Sequence, residues 1–237
     1  MVTPNGAPPA SSSSSAAPAT SPASSPAREY NFAAVVVGPP QAGKTTIVRG
    51  LVIEHLQRYP TGLALVHDPN RQFRDICQTW ETADAWRAAI AAAAAKKAPF
   101  PAGASIGGAA SDLTKVAIEL GRARNTAGNV RIPILLAYDE SSLMGTSGTS
   151  YIGELDTQLL SNRRHWGIGP VYNVQRPTAL TEAFYSMATD VYILTQPSPR
   201  RTAVIEEYLG LPPDALAELV GAERFRYRHW QAGKGLV

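Results

Sequence analysis

The chain has 237 residues, one cysteine and a formal net charge of +3, from 22 Lys and Arg against 19 Asp and Glu. That length suits one α/β core of ordinary size. The lone Cys77 excludes an intrachain disulfide framework and a cysteine-held zinc site, and so small a charge excess does not by itself announce nucleic acid.

Residues 1 to 27 are almost wholly Ser, Ala, Pro, Thr and Gly, without a charge or an aromatic. Such a segment cannot bury enough apolar area to offset its ordering entropy, so a disordered tail is expected over 1–28 and one domain over 29–237. The tail lacks the basic start and apolar run of a secretory signal and the arginines of a mitochondrial presequence. No later stretch reaches the roughly 18 apolar residues of a membrane span, so no transmembrane segment is expected.

From residue 32 apolar runs alternate with helical segments, the rhythm of a mainly parallel twisted sheet covered by helices on both faces. Strands are predicted at 32–37, 63–67, 132–138, 171–174 and 190–194. The spacing of Ile47, Val48, Leu51, Val52 and Leu56 predicts a helix over 45–58, ended by Tyr59-Pro60-Thr61-Gly62. The alanine run predicts a second helix at 83–95. Residues 98–111, with Pro99, Pro101, Gly103, Gly107 and Gly108, read as a loop, followed by a helix over 112–124 capped by Ser111 or Asp112. After a Gly/Ser/Thr loop at 145–150, residues 151–165 read as helix. A short helix at 213–220 and an edge strand at 224–230 close the chain.

The first strand runs directly into Gly38-Pro39-Pro40-Gln41-Ala42-Gly43-Lys44-Thr45, a complete G-x-x-x-x-G-K-[ST] loop, with Thr46 next. Consecutive backbone N–H groups in such a loop wrap phosphate, Lys44 reaches the β and γ oxygens, and the Thr45 hydroxyl completes a Mg²⁺ shell. The following helix points its positive end at the anion. These residues, 38 to 46, are the expected nucleotide contacts.

Asp139 and Glu140 follow the strand at 132–138. An Asp ending an apolar strand can position Mg²⁺ opposite the loop threonine, and an adjacent Glu can polarise an attacking water. The pair favours an NTP hydrolase over a small-molecule kinase. Gln175 ends the strand at 171–174, where an amide can contact both γ-phosphate and water. His67-Asp68-Pro69-Asn70 reads as a turn, and the four histidines share no metal-ligand spacing.

Leu135-Leu136-Ala137-Tyr138-Asp139-Glu140, then Arg164-His165-Trp166-Gly167-Ile168-Gly169, then Val174-Gln175-Arg176-Pro177 resemble the FtsK-HerA superfamily of DNA-pumping ATPases. There a D-E strand end precedes an R-x-x-G segment and a strand ending in T-Q-R-P. The resemblance covers about residues 32 to 195. In size the chain is similar to the genome-packaging ATPases of tailless, membrane-containing icosahedral viruses. It departs at Asn173-Val174, where the family usually has Ala-Thr, and at Pro39-Pro40.

The resemblance implies a P-loop NTPase with a RecA-like core, an ATPase using ATP and Mg²⁺, and a homo-oligomeric ring, commonly a hexamer. Arg164, with Arg163 as runner-up, would complete a neighbour's site as an arginine finger. The implied function is ATP-driven translocation of double-stranded DNA into a preformed capsid. Capsid-vertex or membrane proteins of the virion would be partners, in the host cytoplasm or at the packaging vertex. Candidate DNA-contacting loops are 96–112, with Lys96, Lys97 and Lys115, and 145–150. The alternative is a protein-extrusion or assembly motor of a phage or secretion system.

Overall fold

The β-branched run Val35-Val36-Val37 is buried on both sides and forms β1 (Ala34–Val37) in the middle of a sheet. The computed structural model describes residues 30–96, 102–126, 129–139 and 154–237. The expected tail over 1–28, Lys97, Glu140 and the 145–150 loop lie outside the described residues. In chain order β1 is followed by α1 (Lys44–Arg58), β2 (Leu63–His67), β3 (Gln78–Trp80), α2 (Ala83–Ala95), β4 (Gly103–Ile106), α3 (Ala110–Arg124) and β5 (Ile134–Tyr138). Then come α4 (Glu154–Trp166), β6 (Ile168–Val174), α5 (Glu182–Met187), β7 (Asp190–Leu194), α6 (Pro199–Leu209), β8 (Tyr227–Gln231) and β9 (Gly235–Leu236).

The strands lie in the order β3-β4-β2-β5-β6-β1-β7-β8-β9. Pairing is parallel from β3 through β7, and β8 and β9 add an antiparallel edge. Alternation along each strand sorts its side chains between two cores. Leu63, Leu65, Ile134, Leu136 and Tyr138 pack with α2 to α6, whereas Ala64, Val66, Leu135, Ala137 and Val171 pack with α1 and with Phe73 and Cys77. The mainly parallel sheet with helices on both faces and a C-terminal edge is therefore as expected.

Several elements depart from expectation. Residues 103–106, expected within a loop, are a buried strand between β2 and β3. Gly103 fits there because a Cβ would come within 2.9 Å of Cys77 Sγ, and burial between two partners outweighs the weak strand propensity of Gly-Ala-Ser. This segment therefore cannot be an exposed DNA loop, while Lys96 is exposed and Lys115 pairs with Asp112 at 3.2 Å. Helix α3 starts at Ala110 with Ala109 as its cap, not at Ser111 or Asp112, and no side chain caps it. The expected helix at 213–220 shrinks to a 3₁₀ turn, Ala217–Leu219. Helices α5 and α6 and strands β3 and β9 were not expected; α6 carries Pro199 in its first turn and a left-handed Gly210 at its end, the usual helix punctuation.

One junction sets where β5 and β6 begin. Asn125, 4% exposed, ends α3. Its amide nitrogen donates to the carbonyls of Ile132 (2.9 Å) and Trp166 (2.7 Å), and its oxygen accepts from the N–H groups of Arg131 (2.9 Å) and Ile132 (3.0 Å). Gly167 closes the same junction at φ +62°, where a Cβ would lie 2.5 Å from Val130 Cγ1. The Asn125→Ala substitution leaves these buried backbone groups unpaired and is expected to lower unfolding free energy by about 3 kcal/mol, read from urea denaturation.

His55 on α1 is buried, with Tyr30 Oη 3.1 Å from its Nδ1 and both Tyr30 and Tyr59 rings against it. Burial lowers its pKa to about 4, against about 6.5 when unfolded. The neutral ring's contribution to stability is therefore complete above pH 6.5 and is lost as pH falls through 4. Between those limits the wild-type unfolding free energy is expected to fall more steeply than that of His55→Gln, measured by urea titration at stepped pH.

Candidate functional site

The loop between β1 and α1 is shaped by two left-handed residues, Gln41 at φ 62° and Gly43 at φ 102°. Its first N–H, at Gly38, donates to the Val174 carbonyl at 3.1 Å and ties the loop to the end of β6. A Cβ at Gly38 would lie 2.8 Å from Leu194 Cβ, so only glycine fits. Gly38 and Ala42 are buried beneath the loop. Lys44 opens α1 and is only 8% exposed; its Nζ donates to the Pro39 carbonyl at 2.8 Å. No acidic residue of α1 itself occupies its first turn, so the positive end of that helix keeps its pull on an anion.

The next two strands bring their ends to the same place. Leu135 and Ala137 of β5 face α1, so Asp139 does as well. Asp139 is 2% exposed. Its Oδ1 accepts from the Thr45 hydroxyl at 3.1 Å and from Asn173 Nδ2 at 2.6 Å, and its N–H donates to the His67 carbonyl at 3.0 Å. Thr45 and Asp139, expected to share a metal, are thus brought together. They are hard oxygen donors, the chemistry that suits Mg²⁺. Gln175 follows β6, and its carbonyl accepts from Arg201 at 3.4 Å.

A cavity of about 390 Å³ opens over these residues. Lys44, Thr45, Thr46, Asp139 and Gln175 line it, as do Pro40, Gln41 and Gly43. Asn70, read from sequence as part of a turn, also lines it, as do three residues not assigned to the site: Gln72, Asn173 and Phe225. Asn173 was noted only as a departure from a family pattern, yet the alternation of β6 puts it on the α1 face. It is buried, and its Oδ1 has no hydrogen-bond partner among the described residues. Gln72 is positioned by Asp68, which is fully buried and accepts from the Gln72 N–H (2.8 Å), the Phe73 N–H (2.9 Å) and the Ser105 hydroxyl (2.8 Å). The Asp-Pro-Asn turn was the available signal. No motif points to Phe225.

The two arginines separate cleanly. Arg163 is buried, its guanidinium donating to the carbonyls of Leu160 (2.9 Å) and Met187 (2.8 Å). Burial, with Arg164 beside it, lowers its pKa. Arg164 is exposed and donates to Asn31 Oδ1 at 2.9 Å. Asn31 precedes β1 while the phosphate loop follows it, and the extended chain between them spans about 20 Å. Arg164 therefore lies at the opposite end of the sheet from its own loop.

Behind the site, Tyr138 and Tyr172 stack with ring centroids 5.1 Å apart. Both donate to Asp156 Oδ1 on α4, at 3.4 and 3.3 Å, and Tyr138 also meets the Thr114 hydroxyl at 2.7 Å. Burial raises both phenol pKa values well above the ordinary range, so the rings stay neutral donors. Cys77 is also buried, its thiol pushed up to about 12 by desolvation, which leaves it inert as a nucleophile.

No family model matches this chain, and no curated protein matches it. Solved structures do. The genome packaging NTPase B204 from Sulfolobus turreted icosahedral virus 2, in complex with ATP-gammaS, superposes with a TM-score of 0.65 at 13% identity, covering 86% of this chain and 94% of that one. The pCW3 conjugation coupling protein TcpA, with ATPgS, gives a TM-score of 0.59 at 14% identity over 88% of this chain and 59% of its own. Thermomonospora curvata EccC (ATPases 2 and 3), in complex with a signal sequence peptide, gives 0.55 at 14% identity over 87% of this chain and 36% of its own. At such identities the likeness is one of fold. The α/β architecture is that of P-loop NTPases, and among solved structures it resembles a genome packaging NTPase, a conjugation coupling protein and the ATPases of EccC.

Proposed function

We propose that this protein is an ATP-driven translocase that packages double-stranded DNA into a preformed viral capsid. The observation that carries the ATPase reading is the contact of Thr45 with Asp139 across the mouth of a complete phosphate loop. Genome packaging is supported by the likeness to the B204 NTPase, which spans nearly the whole of both chains.

In this reading the N–H groups of the 38–46 loop and Lys44 hold the triphosphate, with Lys44 exchanging the Pro39 carbonyl for phosphate oxygen. Thr45 and Asp139 would hold Mg²⁺, and Asn173 fixes the Asp139 carboxylate. When bound, the ion would neutralise charge that builds on the phosphate oxygens. Glu140 takes the proton of the attacking water, and Gln175 orients that water against the γ-phosphate. Arg164, too far from its own loop to act there, serves the neighbouring site in a ring. Ring formation, hexameric order and the capsid vertex as a docking place belong to this proposal. So does its place in the host cytoplasm or on the virion. Among the described residues no helix is long and apolar enough to cross a membrane.

A second reading, a motor that moves protein, is favoured by the likeness to EccC in complex with a signal sequence peptide. Duplex DNA separates the two. A DNA motor is expected to hydrolyse ATP several-fold faster with duplex DNA, an effect that fades between 50 and about 200 mM salt. Its specific activity should also fall on dilution as the ring dissociates. A concentration series with and without DNA checks both, and stimulation absent at every salt concentration rejects the DNA reading.

The trans role of Arg164 predicts a mixing result. Arg164→Ala alone is expected to bind ATP normally and lose about 10³-fold in turnover, and Lys44→Ala alone to be inactive. Mixed together they should regain measurable activity, because some interfaces pair an intact loop with an intact arginine. ATPase assays across a mixing series read this directly.

A further inference from the structure

One wall of the cavity has no part in the phosphate chemistry above. Phe225 stands in the turn from Glu223 to Arg226 with φ 69° and is 65% exposed. A left-handed backbone is an outlier for a bulky side chain, and residues held so cluster at ligand sites. The turn is fastened to the end of β7: the Thr195 hydroxyl donates to the Glu223 carbonyl at 2.8 Å, and the Thr195 N–H donates to the Arg226 carbonyl at 3.0 Å. The ring so held lies against Gly43, where a Cβ would come within 2.6 Å of Phe225 Cδ1 and 3.2 Å of Cε1. Phe225 thus occupies space left by the loop's second glycine, and among the described residues it is the one aromatic side chain on the cavity wall.

Strand order says which part of a ligand comes there. β1 has β6 on one side and β7 on the other. Asp139, Asn173 and Gln175 all belong to the β5 and β6 side, which is where the hydrolysed end of a triphosphate must lie. The far end of the same ligand leaves the loop on the β7 side, and there Phe225 offers an aromatic ring within the same cavity.

We propose that Phe225 is the stacking platform for the base of a bound nucleoside triphosphate. The proposal rests on the nucleotide reading of the loop and adds to it the seat of the base. A phenyl ring has no hydrogen-bonding group, so it favours large π-faces without telling adenine from guanine. Purine nucleotides should be preferred to pyrimidine nucleotides.

The test compares ATP, CTP and inorganic tripolyphosphate binding to the full chain with Mg²⁺, for wild type, Phe225→Ala and Phe225→Trp, by calorimetry or by competition. Expected is a loss of about 10-fold or more in ATP affinity for Phe225→Ala, with tripolyphosphate affinity unchanged within twofold. Phe225→Trp should keep ATP affinity, and the preference for ATP over CTP should collapse in Phe225→Ala alone. Unchanged tripolyphosphate binding also shows that the variant is folded. Undiminished ATP binding by Phe225→Ala overturns the platform, whether or not assembly is altered, as does an equal loss of ATP and tripolyphosphate. Failure of the wild type to bind ATP overturns the nucleotide reading itself, and the platform with it.

Discussion

The site depends on a contact made across a strand. Thr45 follows β1 and Asp139 follows β5, yet β6 lies between those two strands. For the hydroxyl and the carboxylate to meet at 3.1 Å, the intervening strand must present something short and polar at that level. The register aligns Val36 with Asn173 and Tyr138 with Tyr172, so Asn173 reaches the α1 face between the two. An aliphatic side chain there would leave the Asp139 carboxylate buried against an apolar neighbour, with one hydrogen bond fewer to offset its desolvation. The parity of three adjacent parallel strands thus decides where the carboxylate points, and the Asn125 junction fixes that parity by setting where β5 and β6 start.

The loop itself is modified by Pro39 and Pro40. Neither residue has an N–H, so the donors available to an anion begin at Gln41. Lys44 in turn is held by the carbonyl of Pro39, a group whose direction is stiffened by the proline ring that follows it. The result is a cradle with fewer donors but a well-defined shape, and its charge comes from the buried Lys44 and the start of α1.

How much of this was legible in the sequence follows from the physics of each element. β1, β2, β5 and β7 are apolar, rich in branched side chains and bounded by turn residues, so their burial shows in composition. The loop after β1 and Asp139 after β5 inherit that clarity because strand ends position them. β4 was hidden because Gly103, Ala104 and Ser105 carry no apolar pattern; its stability comes from two neighbours far away in sequence. Asn173 could be read only by counting parity along β6, which requires knowing that Val171 faces α1 and Tyr172 the other core. Phe225 had no local signal, since what places it is a hydroxyl 30 residues earlier, on Thr195. Arg163 and Arg164 are adjacent and identical in type, and only the facing of α4 tells the buried one from the exposed one.

That same helix joins two regions otherwise far apart. Near its start, Asp156 is gripped by the phenols of Tyr138 and Tyr172, each next in sequence to a member of the hydrogen-bonded pair Asp139 and Asn173. Near its end stands Arg164, eight residues on and about 12 Å along the axis. An α-helix does not compress, and the packing around Tyr138 and Tyr172 has no slack to absorb a shift. α4 therefore works as a spacer: it holds the exposed Arg164 at a set distance from the strand ends that carry the site, so the outer surface and the cavity are registered on one rigid element.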